Sequence, residues 1–152
     1  MKEGPKQLRV LGHPAHAPLT HFPLALWTAG FLGNLLYAWR PDLFWWHFAF
    51  WNTALGLALG SLTLGTGFYD YAFIPGEKTQ VQETAIRHMM AMLTAACCFG
   101  AALYFNRGEG PADSTQKILA LSCSGLGALL LHCGGWLGGQ LVYHFGVGRE
   151  PE

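Results

Sequence analysis

Charge is the scarcest feature of this sequence. Of its 152 residues, 12% are Asp, Glu, Lys or Arg, against about 25% in a typical soluble domain. The formal net charge is zero, which removes any long-range pull toward nucleic acid or acidic partners. Four Cys are too few for a disulfide scaffold in a chain of this size. There is no G-x-S-x-G, no P-loop and no H-E-x-x-H. No pair of acids lies inside an apolar run to suggest a proton relay. The usual signatures of hydrolases, nucleotide-binding enzymes and zinc proteases are therefore missing, and a stand-alone enzyme is not the expectation.

What is present is apolar: 51% hydrophobic and 14% aromatic residues. All 18 charged residues fall into five clusters, 2–9, 40–42, 70–87, 107–117 and 149–152. Between them lie four charge-free intervals, 10–39, 43–69, 88–106 and 118–148. A bilayer-spanning helix needs about 20 mostly apolar residues. The pattern predicts an all-α integral membrane protein, an antiparallel four-helix bundle with spans at 22–39, 46–69, 84–105 and 117–142. A His/Pro-rich leader (1–21) precedes the membrane domain (22–145), and a short tail (146–152) follows. The first span lies behind that polar leader and no A-x-A-type site follows it, so it does not read as a cleaved signal. Pro23 fits the first turn of its helix. Thr79 with Gln82 and Asp113 with Gln116 are spaced as capping boxes before helices three and four.

Four passes put both termini and the loop between helices two and three on one side, side A, and the two short hairpin loops on side B. Lys2, Lys6, Lys78, Arg9, Arg87 and Arg149 fall on side A; Arg40, Arg107 and Lys117 fall on side B. The excess of basic residues orients side A toward the cytoplasm of an inner (cytoplasmic) membrane. Trp39, Phe44, Trp45, Trp46 and Trp51 read as an aromatic belt at side B, and Tyr69, Tyr71, Trp136 and Tyr143 as one at side A.

A shift of 67 residues lays 21–40 on 88–107 with seven of twenty positions identical, His21/His88 and Gly33/Gly100 among them. A shift of 74 relates helices two and four through Gly60/Gly134, Gly65/Gly139 and Tyr69/Tyr143. The two halves run in the same direction, which describes a parallel internal repeat of helices 1–2 and 3–4 about an axis along the membrane normal. In this register His21 and His88 are mates.

Seven His are present, and topology places His13, His16, His21, His88, His132 and His144 on the side A half with Asp70. Ionisable groups at membrane depth are costly and point to function. Two imidazoles on facing helices suit the axial positions of haem b, and the expected pair is His21 and His88. Trp27, Phe22 and Met92 are placed to line such a disc, with Met92 a further axial candidate. Gly33, Gly100, Gly135 and Gly139 would let it approach the backbone. Asp70 is placed to accept the other N–H of a ligating imidazole.

Two other readings compete with this one. His13-x2-His16-x4-His21 with His88 or Asp70 offers ligands for Zn or Cu. A cofactor-free subunit anchoring or assembling a redox complex fits the short loops. His132 shares a face with Gly135, Trp136 and Gly139 and reads as an interhelical bond. Gly56-x3-Gly60, Gly134-x3-Gly138 and Gly135-x3-Gly139 read as close-packing motifs, and Cys97, Cys98, Cys123 and Cys133 as small packed residues. The expected partners are the lipid bilayer, a redox partner protein or quinone, and a second copy in a homodimer.

The run Gly12-His-Pro-Ala-His-Ala-Pro-Leu-Thr-His-Phe-Pro23 resembles the opening of a family of small predicted membrane proteins, domain of unknown function 2231. Asp70 after Gly67, His88, the stretch Gly135-Trp136-Leu137-Gly138-Gly139 to Tyr143, and Gly146-Val147-Gly148 resemble its other motifs, so the likeness runs from about 12 to 148. His144-Phe145 departs from its Arg/Glu-His order after the Tyr. The resemblance implies a four-helix membrane fold and the same His and Asp positions. It also implies an electron-transfer setting, since some members stand beside Rieske-type iron–sulfur modules.

Overall fold

A computed structural model describes residues 7–74, 79–111 and 113–148. Lys2, Lys6, Lys78, Arg149 and the Thr79 side chain lie outside the described residues, and with them most of the side A charge and the cap expected of Thr79. The chain makes a two-residue antiparallel ladder, β1 (Arg9–Val10) with β2 (His13–Pro14). Four helices follow: α1 (His16–Trp39), α2 (Leu43–Ala72), α3 (Thr79–Phe105) and α4 (Ser114–Tyr143). Short connections force antiparallel neighbours, and the result is an integral membrane four-helix bundle. Asp42 and Asp113 cap α2 and α4, accepting from Phe44 N (2.9 Å) and Gln116 N (2.8 Å). These carboxylates satisfy backbone donors that have no partner inside the helix.

Two sequence expectations change at α1. The helix begins at His16, inside the expected leader, because Pro18 falls in its first turn, where a missing N–H costs nothing. Pro23 is therefore interior rather than initial. The Leu19 carbonyl, four residues before it, loses its usual donor, and the Thr63 hydroxyl of α2 lies 3.3 Å away as a donor shared with the Leu59 carbonyl at 3.0 Å. Helices α2, α3 and α4 are long and apolar enough to cross a membrane. Helix α1 is diluted by His16, His21, two Pro and Asn34, but it carries no charge and runs antiparallel along α2. Trp39, Phe44 and Trp51 are exposed at side B, as a belt requires. Trp46 is not part of that belt: it is fully buried against Tyr37.

The parallel repeat is real in three dimensions, in a register different from the one that sequence identity favours. Trp27 of α1 stacks on Phe99 of α3 with centroids 5.0 Å apart and planes at 13°. Asn34 and Asn106 exchange reciprocal amide hydrogen bonds of 3.0 and 2.8 Å. Both pairs are related by a shift of 72, not 67. Helices α2 and α4 follow at 71, not 74. The N-caps Asp42 and Asp113 correspond, and so do the fully buried Ala49 and Ala120, and Thr53 and Ser124. Gly56 seats Trp27, and its mate Gly127 seats Phe99. Ser124 also accepts from Asn34 (3.1 Å), completing a buried polar cluster in the side B half.

Candidate functional site

At the side A end the bundle does not close. A cavity of about 520 Å³ lies between all four helices, inside the range of roughly 300–1,000 Å³ typical of small-molecule and cofactor sites. Trp27 and Leu131 lie on its inner wall, Met92 on its flank, and His16, His21, His88 and Asp70 line it nearer side A. Trp27 is 1% exposed and its indole Nε1 has no hydrogen-bond partner among the described residues.

The shift of 72 pairs His16 with His88, and their surroundings correspond. The His16 ring lies on Gly67 and the His88 ring on Gly138, themselves related by 71. A Cβ on either glycine would come within 2.8 Å and 3.0 Å of the respective Cε1. The His88 Nδ1–H donates to the Gly134 carbonyl at 2.7 Å. The His16 Nδ1–H donates to the Thr63 carbonyl at 3.1 Å, with the Thr66 hydroxyl oxygen at 3.0 Å. Thr63 and Gly134 are again mates. A carbonyl only accepts, so both Nδ1 atoms carry the proton, and both Nε2 atoms keep a lone pair when the rings are neutral.

The remaining sequence candidates are distributed differently. His21, the expected partner of His88, lines the rim of the cavity, and its Nδ1–H is bound to Pro18 O of its own helix (3.2 Å). His13 sits on the exposed ladder and does not line the cavity. Asp70 accepts the Leu8 backbone N–H at 3.0 Å, fastening the N-terminal ladder over the bundle. The imidazole N–H groups use carbonyls instead. Gly135 and Gly139 line the cavity, whereas Trp136 is 72% exposed and outside it. Phe22, Gly33 and Gly100 are also outside it. The Met92 sulfur packs on Gly134. His132 bonds back to Ala128 O within α4 rather than to a neighbouring helix. Among the described residues, no three His, Cys, Asp or Glu side chains gather as a metal-ion site.

The profile of a family described as Predicted membrane protein (DUF2231) matches residues 12–151. The chain belongs to that family. No curated protein and no solved structure matches it. Family membership agrees with the apolar spans and the bundle. The cavity of this DUF2231 member must therefore be read from its own chemistry.

Proposed function

We propose that this protein is a small b-type cytochrome-like electron carrier that holds haem b between His16 and His88. One observation carries the reading: two symmetry-related imidazoles, each fixed through Nδ1 to a backbone carbonyl, line one large apolar cavity, and neither Nε2 has a hydrogen-bond partner among the described residues. Such a bond sets the tautomer and raises the basicity of a ligating imidazole. A porphyrin brings four nitrogens of its own and asks the protein for two. Zn or Cu held by protein alone asks for three or four, which this cavity does not gather among the described residues. Haem, when bound, supplies one-electron chemistry. His16 and His88 would hold its iron, while Trp27, Met92 and Leu131 keep water from its faces. Because two protein side chains would hold the iron, the site would suit electron transfer rather than oxygen chemistry. The electrons would pass between a membrane quinone and a partner protein, in an inner membrane with side A toward the cytoplasm.

The test is the absorption spectrum of the purified protein. Sharp alpha and Soret bands on reduction, lost in His16→Ala and in His88→Ala, are expected. A colourless protein without iron refutes the proposal. Bands that persist in both variants move the ligands elsewhere, with His21 next in line.

A further inference from the structure

The outer face of α4 carries polar side chains that a lipid-facing surface should not leave unpaired. In hydrocarbon a polar group without a hydrogen bond is costly, so such groups turn to the bundle interior or to one another. Outward hydroxyls on the neighbouring helices follow this rule within their own helix: Ser61 donates to Ala58 O at 2.7 Å, and Thr94 to Met90 O at 2.8 Å. Helix α4 departs from it at His132, which is exposed on the outer face. The residue stands about 16 Å from the side A end of a spanning helix roughly 45 Å long, inside a hydrocarbon core about 30 Å thick. Its Nδ1–H goes to Ala128 O, so Nε2 of the neutral ring is an acceptor with no partner among the described residues. The exposed Ser122 hydroxyl, the Trp136 indole N–H and the Gln140 amide have none there either. On the related face of α2 the mate of His132 is Ser61, already satisfied, so the demand falls on α4.

These groups lie along one seam. Ser122, Leu126, Leu129, Cys133, Trp136 and Gln140 are spaced alternately by four and three residues and are all exposed, as the a and d positions of a heptad repeat are before a second helix covers them. None of them, nor His132, lines the cavity. The unpaired groups are complementary to themselves. A hydroxyl and a primary amide each hold a donor and an acceptor, so across a two-fold each meets its own counterpart, as Asn34 and Asn106 do about the internal axis. His132 accepts and Trp136 donates. Helical side chains lean toward the N-terminus, which carries the Trp136 ring back toward the height of His132. In an isologous contact i meets j and j meets i, so this bond forms twice. We infer that the outer face of α4 is a homodimer interface, two copies packing α4 against α4 in parallel, with Trp136 Nε1–H of each donating to His132 Nε2 of the other. A second copy presents the matching donor and acceptor at the same heights. Cys133, an a-position knob, then sits beside His132 of the second copy and faces its own counterpart across the axis.

The test uses the full-length protein, by sedimentation equilibrium in density-matched detergent micelles and by oxidative cross-linking in phospholipid vesicles. A reversible dimer is expected. His132→Leu should weaken it about tenfold, the worth of two interhelical bonds. Trp136→Phe, which keeps a ring and removes the N–H, should weaken it equally, and the double variant should lose no more than either single one. Copper phenanthroline in air should join two copies through Cys133. Cys133→Ser should abolish that band and Cys97→Ser, also exposed but on α3, should leave it. Circular dichroism checks each fold; should a substituted protein fail to fold, the cross-link decides alone. A monomer at every protein concentration, as expected if lipid covers this face, overturns the inference. So does a cross-link formed through Cys97, a dimer untouched by either single substitution, or losses that add in the double variant. The outcome is independent of whether the cavity holds haem, which the absorption spectrum decides.

Discussion

Replacing Gly67 or Gly138 by Ala probes the imidazole clamp directly, and the structure sets the order of the two effects. Carbon atoms in comfortable contact sit about 3.5–4.0 Å apart. A Cβ at Gly138 would lie 3.0 Å from His88 Cε1, and one at Gly67 would lie 2.8 Å from His16 Cε1. Relief therefore requires the rings to retreat by about 0.5 Å and 0.7 Å respectively. His88 starts from a short bond of 2.7 Å to Gly134 O and stays within hydrogen-bonding range after the shift. His16 starts from 3.1 Å to Thr63 O and is carried out of it. Losing that bond costs roughly 1 kcal/mol, about a fivefold loss of affinity for haemin titrated into apoprotein. Gly138→Ala should lose less than half of that in free energy. Both substitutions also gain up to about 1 kcal/mol of helix propensity, which offsets the lost bond in the apoprotein, so for Gly67→Ala the melting temperature should change little while haemin affinity falls. Gly65→Ala, in open space, isolates the propensity gain. Haemin titration with nitrogen-15 NMR of the histidine rings reads both effects. Equal losses in the two variants, or tighter haemin binding in Gly67→Ala, would refute the clamp.

Two further outcomes follow from the packing contacts. Asn34→Ala or Asn106→Ala should each cost about 1–2 kcal/mol by leaving a partner amide short of a bond. The double variant should cost less than the sum of the two, as a double-mutant cycle would register. Thr63→Val should cost about 1 kcal/mol, because the Leu19 carbonyl beside Pro23 then has no donor; denaturation in detergent measures it.

Much of the fold was readable from where charge is missing. The four apolar intervals each became a helix, and the Asp113 cap was visible as Asp-x-x-Gln. The start of α1 was not readable, because Pro18 and Pro23 look like a boundary. Only Thr63, 40 residues further on, supplies the donor that lets the helix run through Pro23. The repeat was detectable and its register was not. At a shift of 67 five of the seven matches are Leu, Ala, Gly and Tyr, residues that recur in any apolar helix. At 72 only a few equivalent residues are identical, His16 with His88 and Asn34 with Asn106 among them, and others are alike only in chemistry, Trp27 with Phe99 or Gly30 with Ala102. Identity counting rewards the first kind of match, and packing across an axis rewards the second. Trp46 followed the same logic: an aromatic near a helix start reads as an interfacial anchor, but it packs on Tyr37 and disappears into the core.

The choice between His16 and His21 shows what a helix period resolves once an axis is known. Successive residues turn by about 100°, so positions 11 and 18 residues apart return to nearly the same face. His16, Trp27 and Asn34 stand at those offsets, and His88, Phe99 and Asn106 repeat them. Each half therefore carries one stripe with an imidazole, an aromatic ring and an amide at the same heights. Side chains on the axis of a two-fold meet their own counterparts. The rings stack, the amides exchange bonds, and the imidazoles stand across a space that neither fills. His21 lies five residues beyond His16 and is rotated by about 140°, off that stripe and toward the α1/α4 seam. A residue off the axis has no counterpart to meet; its equivalent, Leu93, faces a different seam. The same geometry thus sets His16 and His88 on the axis, each on its carbonyl, and leaves His21 off it, bonded within its own helix.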